Sequence, residues 1–458
     1  MKRSFFILMA MIAAGCTSNT EKNTTGNEKI KLITLDPGHF HSALVQKSMY
    51  ADVDSIVHVY APEGTDVQLH LEKIESYNKR AEDPTTWKEE VCSGNDFFDK
   101  MLSEKKGNVV MLAGNNLKKT EYIKRSIDAG FNVYADKPMA IDSKSFEELK
   151  SAFAAAEEKK LLLYDIMTER FEITTMLQKE FSLVPEVFGT LEKGTPENPA
   201  VTKESIHHFY KYVSGSVLTR PAWFFDVAQE GEGIVDVTTH LVDLIQWECF
   251  PDQIIDYKKD IQINSATRAS TNISLSQFQA MTKIDQFPDY LNKYVERDSI
   301  LKVFSNGEFN YKIRDVHAKV SVKWAFKAPE GTADTHYSIM RGTLANLIIR
   351  QGAEQQYKPA LYIEPVGGIT RAYSDQLAAK LKDVQKKFPG VELKKMDKGW
   401  EVIVPEKYKE GHEAHFARVT EKFLEYLKNG NIPAWEVPNM IAKYYTTTKA
   451  LEIAKKNK

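Results

Sequence analysis

Asp236, His240 and Asp243 recur at i, i+4 and i+7, a spacing that sets three ionisable side chains on one face of a helix. Ile234, Val237, Leu241, Leu244 and Ile245 supply apolar packing positions around them. A polar stripe bordered by so much apolar surface is costly to bury unless it lines a cleft. A histidine there can take up a proton, because its unperturbed pKa lies near working pH. A second constellation comes early, where an apolar run ends in Leu35-Asp36-Pro37-Gly38-His39-Phe40-His41. Gly38 stands at the middle glycine of a G-x-G-x-x-G fingerprint, with Asp36 and His41 at the outer positions, and leaves room for a pyrophosphate. Asp36-x-x-His39-x-His41, taken alone, reads equally as a metal site at a strand end. His412-Glu413-Ala414-His415 adds nothing to that rival: its histidines are i, i+3 and it lacks H-E-x-x-H, so it reads as a helix start. His207-His208, Arg220 and Trp223 are donor and aromatic types suited to polyols, or else part of a packed connector.

These residues need elements to hold them. From Lys29 to Asp165 short β-rich runs alternate with helical patterns: Ile30–Leu35, Ile56–Tyr60, Val109–Ala113, Asn132–Ala135 and Leu161–Tyr164. One helix is expected from about Lys118 to Ala129, stopped by Gly130, and another from Ser143 to Lys159 with Asp142 as its N-cap. Segment 61–106 is too long for a simple crossover and has no clear pattern. Strand, helix, strand in repetition argues a parallel sheet with helices on both faces. Beyond residue 180, His317–Phe326 and, more loosely, His336–Ile349 alternate as strands of a one-sided sheet do. The expected class is α/β: an N-terminal Rossmann-type doubly wound parallel sheet, and a C-terminal α/β domain on an open, mostly antiparallel sheet. The boundaries read as 29–165 and 166–405, with 406–458 forming C-terminal helices that pack at the domain junction.

Residues 1–15 read as a signal peptide. Lys2-Arg3 precede the apolar run Phe5–Ala14, and Ala13-Ala14-Gly15 lead into Cys16 as small residues lead into a lipidated cysteine. Thr17–Glu28 reads as a polar tether, so 16–28 would link a lipid anchor to the fold, giving an exported, membrane-anchored protein. Cys92 and Cys249 make no disulfide framework, and Cys249 reads as a core residue. The 61 basic and 63 acidic residues leave a formal net charge of −2, which gives no footprint for nucleic acid.

Two later motifs narrow the reading. Ala135-Asp136-Lys137-Pro138 falls at a strand end, and Gly231-Glu232-Gly233 leads into Asp236-Val237-Thr238-Thr239-His240. With Asn115-Asn116, Asp128-Ala129-Gly130 and Glu169-Arg170-Phe171, they resemble, in order and spacing, the glucose–fructose oxidoreductase / inositol dehydrogenase (Gfo/Idh/MocA) family. Arg220-Pro221-Ala222-Trp223 and Lys443-Tyr444-Tyr445 resemble a Bacteroidetes-type lipoprotein branch of it. The resemblance implies NAD or NADP as cofactor and reversible hydride transfer at a secondary ring hydroxyl of a sugar or glycoside. It implies Lys137, Asp236 and His240 as the catalytic set: His240 the base, Lys137 the electrostatic stabiliser and relay, Asp236 the orienting group. Gly38, His39, Phe40, Glu63, Asn116, Asp136 and Lys137 would contact the cofactor. Glu63 is named because Ala61 stands where an acid usually meets the ribose. Arg170, His207, Arg220, Trp223, Asp236 and His240 would contact the substrate. No metal is expected on this reading, and a homo-oligomer is left open. Two alternatives stay beside it: a glycosidase that uses bound NAD for transient oxidation, and a non-enzymatic nucleotide- or glycan-binding lipoprotein.

Overall fold

The computed structural model describes residues 29–457 apart from 214, 215 and 298. The expected signal peptide, Cys16 and the tether lie outside the described residues. Among the described residues no helix is long and apolar enough to cross a membrane.

The N-terminal part is a six-stranded sheet: β1 (Leu32–Leu35), β2 (Ile56–Ala61), β3 (Lys88–Ser93), β4 (Val109–Leu112), β5 (Asn132–Asp136) and β6 (Leu163–Ile166). Its order is β3-β2-β1-β4-β5-β6, parallel throughout. β1, β4 and β6 are buried at every position, which is why they read as continuous apolar runs. β3 was not among the five expected strands. The helix Asn116–Asp128 starts at Asn115, whose side chain accepts from Leu117 N, and Ser143–Lys159 starts at Asp142, which accepts from Ser145 N. Strand order reverses between β1 and β4, and the crevice outside their carboxyl ends is where such sheets bind ligands.

The second sheet has ten strands and is mostly antiparallel. Val201–Tyr210 runs parallel to Val316–Lys327 and antiparallel to Thr335–Arg341. The expected single run 336–349 is two strands, Thr335–Arg341 and Ala345–Arg350, paired antiparallel. The helix His412–Asn429 lays Phe416, Val419 and Phe423 on the first core, and Phe423 stacks on Tyr134 at 4.4 Å. The last helix, Glu436–Lys456, reaches both cores, with Met440 and Tyr444 in the first and Leu451 and Ala454 in the second.

A buried ion cluster joins these parts. Arg170, just past β6, holds Asp243 through two hydrogen bonds of 2.7 Å and Glu436 at 2.9 Å. Lys443 bridges Asp243 at 2.8 Å and Asp165, at the end of β6, at 2.7 Å. Tyr444 donates to the same Asp165 oxygen, and Tyr164 to Glu436. Burial works against the Asp243 carboxylate, but Arg170 and Lys443 outweigh it and hold its pKa well below the usual range. Arg170 therefore departs from its expected role as a substrate contact: its guanidinium is buried and spent on two carboxylates. Removing one partner from such a cluster strands the rest. Arg170→Ala is expected to cost about 3–5 kcal/mol of unfolding free energy, read as a lowered urea midpoint.

Candidate functional site

The helix bearing the polar stripe is not continuous. Gly233–Asp236 forms one turn, Val237 interrupts it, and Thr238–Cys249 continues. Thr238 and Thr239 donate to the carbonyls of Ile234 and Val235, a back-bonding pattern that bends helices. Gly233 explains the glycine-rich lead: a Cβ there would stand 1.8 Å from the Ser305 carbonyl oxygen, so the first turn lies directly on the strand Ile300–Ile313. Val237 itself keeps helical angles, φ −76° and ψ −38°, and the three ionisable residues, spread along two turns, meet different surroundings. Asp236 turns to Lys137, His240 to a cavity, and Asp243 to Arg170 behind it.

That cavity has a volume of about 750 Å³ and is bordered by His39, Phe40, His41 and Lys137 from the first domain and by His207, Arg220, Asp236 and His240 from the second. Lys137 and Asp236 form an ion pair with both side chains nearly buried. Burial opposes the Lys137 charge, but Asp236 and Asp136 outweigh it, and the ammonium is held above its ordinary pKa. Asp236 is correspondingly lowered, burial being outweighed by Lys137. Burial, with the Lys137 charge second, pushes the His240 imidazole down to about 3. It stands neutral, and its Nδ1 has no hydrogen-bond partner. A neutral imidazole, an ammonium and an orienting carboxylate facing one cavity can move a proton and stabilise an oxyanion.

A nicotinamide dinucleotide is the group this strand order accommodates. Gly38 follows the end of β1 without a side chain, Phe40 and Lys137 border the cavity, and Glu63 is exposed just past β2, where a ribose contact belongs. These fit. The loop itself differs from the usual fingerprint. A Cβ on Gly38 would lie 3.0 Å from both Asp66 Oδ2 and the Trp223 ring, and Trp223 Nε1 donates to Asp66 at 2.7 Å. Trp223 is thus a wall against the Gly38 loop, not one of the groups bordering the cavity, as its expected sugar contact would require. Asn116 also departs from expectation. It is buried, donating to Glu230 and accepting from Lys119, so its amide is spent inside the protein. Asp136 binds His41 through Oδ2 and Lys137 N through Oδ1, and does not itself border the cavity.

His207 and Arg220 do border it. His207 pairs with Asp334 at 3.2 Å, and Arg220 donates to the carbonyls of Phe209 and His208 while lying 4.2 Å over the Phe224 ring. Sequence reasoning missed Asp334, which also gathers His208 and Lys211, and Glu230, whose carboxyl is pushed well up by burial and by Asp236. Nothing in the loop around Asp334 marks it. Glu230 lies one residue before the glycine-rich lead and could have been included with it. His412 does begin a helix, yet it also borders the cavity.

Comparison with known proteins places the chain. Residues 37–165 match the family described as "Oxidoreductase family, NAD-binding Rossmann fold", and residues 177–455 match "Putative oxidoreductase C terminal domain". No curated protein matches. A crystal structure from Parabacteroides merdae ATCC 43184, described as "a putative oxidoreductase", is 57% identical with a TM-score of 0.92, over 94% of this chain and 98% of that one. Levoglucosan dehydrogenase, solved with NADH and levoglucosan, shares the fold at 11% identity and a TM-score of 0.60, over 94% and 98% of the two chains. GenD2 from gentamicin A biosynthesis, solved with NAD, does so at 14% and 0.55, over 94% and 95%. With its strand order, its Lys137–Asp236–His240 arrangement and these matches, the chain belongs to the glucose–fructose oxidoreductase / inositol dehydrogenase (Gfo/Idh/MocA) family of NAD-binding oxidoreductases.

Proposed function

We propose that the chain is an NAD(P)-dependent dehydrogenase that oxidises a secondary ring hydroxyl of a sugar or glycoside to the ketone. One observation carries this reading: His240, with a free Nδ1, and the Lys137–Asp236 pair border the same 750 Å³ cavity at the carboxyl edge of the parallel sheet. The distant structural relatives include a dehydrogenase solved with a sugar derivative, levoglucosan, which supports a carbohydrate substrate. A nicotinamide held there would supply the hydride acceptor. The loop around Gly38, His39 and Phe40 would hold the dinucleotide, with Glu63 at its ribose.

The residues divide the remaining work. His240 takes the hydroxyl proton as hydride departs, and Lys137 faces the developing alkoxide with a permanent charge. Asp236 fixes the Lys137 ammonium, so that charge costs no reorganisation during the reaction. His207 and Arg220 border the cavity from the second domain and would meet the polyol there. His240→Ala is expected to lower kcat by roughly 10²–10⁴-fold, the usual worth of a general base. Lys137→Ala should be at least as damaging, with the fold unchanged by circular dichroism. Substrate deuterated at the reacting carbon should pass its label to the nicotinamide. Label retained in a cleaved sugar would instead assign transient oxidation by a glycosidase, and full activity in both alanine variants would refute the assignment.

The acidity of His240 gives a separate check. Lys137, His412, Asp136 and Asp236 are the charged and titratable groups around it. The neutral imidazole is the active form, so activity is lost as pH falls through its pKa. The acid limb of kcat/KM is therefore expected near 3, against 6.5 for an ordinary histidine. A limb near the ordinary value would assign the proton to another group.

We also propose export with a lipid anchor at Cys16, from the apolar run and the small residues before it. Cys16→Ser should abolish acyl labelling and release the protein from the membrane fraction. Unchanged membrane association would exclude the anchor.

A further inference from the structure

The loop after β1 carries more chemistry than dinucleotide binding needs. The sequence allowed a metal site at Asp36, His39 and His41, but Asp36 turns away: its carboxylate accepts from Tyr122 at 2.8 Å, with Lys118 at 3.9 Å. Asp136, from the end of β5, takes its place. Its Oδ2 lies 2.9 Å from His41 Nδ1 and 3.4 Å from His39 Nδ1, and the three donor atoms fall within 4.8 Å of one another. The two imidazoles stand edge to face at 4.1 Å.

Three features make this a prepared ligand set. Asp136 Oδ1 is tied by Lys137 N at 2.9 Å, which leaves Oδ2 as the oxygen presented. The His41 ring rests on Phe416 at 4.7 Å, so its orientation is fixed by packing. Such supporting contacts orient the ligands of metal centres. The third is a deficit: His41 already satisfies Asp136 Oδ2, and His39 Nδ1, a buried atom, makes no hydrogen bond. A buried polar atom left unmade costs free energy, and a cation among the three would satisfy all of them. The nearby ammonium groups are themselves engaged, Lys137 by Asp236 and Lys119 by Asn116 and the Asp136 carbonyl.

We propose that His39, His41 and Asp136 bind one divalent transition-metal ion of the zinc or manganese class. Two imidazoles and one carboxylate suit such ions and leave coordination positions open. His39 and His41 border the 750 Å³ cavity, so the open positions take oxygen ligands from that side: water, or the neighbouring hydroxyls of a polyol. The ion would polarise such an oxygen as a Lewis acid.

The test uses the full chain without a histidine tag, stripped by chelator, with Co²⁺ and Zn²⁺ alone as probes. The expected result is one equivalent of Co²⁺ with visible d–d absorption, and stoichiometric Zn²⁺ by calorimetry. His41→Ala should lose the bands and weaken Zn²⁺ binding by more than the roughly 10–100-fold that loss of a supporting contact causes. His39→Ala, on the less buried ring, gives the same readout if His41→Ala fails to fold. His58→Ala, on β2 away from the cluster, should leave binding intact. No stoichiometric binding by the unaltered chain, or equal binding in the His39 and His41 variants, would overturn the proposal. Neither readout involves hydride transfer, so its failure is distinguishable from failure of the dehydrogenase reading.

Discussion

The contact between Arg170 and Asp243 is the constraint on which the site depends. Asp243 lies three residues after His240 on the same helix, and Arg170 lies in the short turn Thr168–Phe171 that follows the last strand of the parallel sheet. Their paired hydrogen bonds lock that helix against the first domain. Lys443 and Glu436 extend the lock to the final helix, so three separate stretches of chain meet in one buried cluster. Ion pairs of this kind are weak sources of net stability, because desolvation offsets most of the attraction. Their value is geometric: the guanidinium fork accepts one carboxylate orientation and rejects slippage along the helix.

What the cluster fixes is an electrostatic arrangement in the cavity. Lys137 directly follows β5 and Asp236 comes from the second domain, and each raises the other's preference for the charged state. The pair can persist only if the two domains hold one separation. His240 feels the Lys137 charge as well as burial and stays neutral. A loosened junction would free Lys137, lower its tendency to stay charged in a buried place, and relax the imidazole at once. The neutral imidazole of His240 and the charge on Lys137 are therefore set by the same domain contact.

Much of the fold was legible because parallel strands buried on both faces are unbroken apolar runs, and helix caps such as Asp142 have few other uses. β3 was not legible for the converse reason. Lys88–Ser93 is an edge strand with most side chains exposed, so it shows neither an apolar run nor clear alternation. In the site, residue types were legible and directions were not. Asp236, His240 and Asp243 have helical spacing, yet Asp236 meets Lys137, His240 faces the cavity and Asp243 meets Arg170. Arg170, Asn116 and Trp223 had the right chemistry for ligand contact, yet each is consumed by protein: by Asp243 and Glu436, by Glu230 and Lys119, and by Asp66. Only the packing decides whether a donor faces a ligand or a neighbour.

The altered glycine fingerprint follows the same logic. Its three glycines ordinarily serve a tight turn, a close backbone approach and close helix packing. Here Asp36 takes the turn with φ of 46°, a left-handed conformation that aspartate tolerates better than most residues. The third position needs no glycine, because the helix it opens, His41–Leu44, is only four residues long. The middle glycine is kept at Gly38, and a second close approach is made by Gly114 in the loop after β4, where a Cβ would stand 2.1 Å from the Asp36 carbonyl oxygen. Between these two glycines the loop carries two imidazoles, at His39 and His41, and sets them against Asp136 beside the Lys137–Asp236 pair.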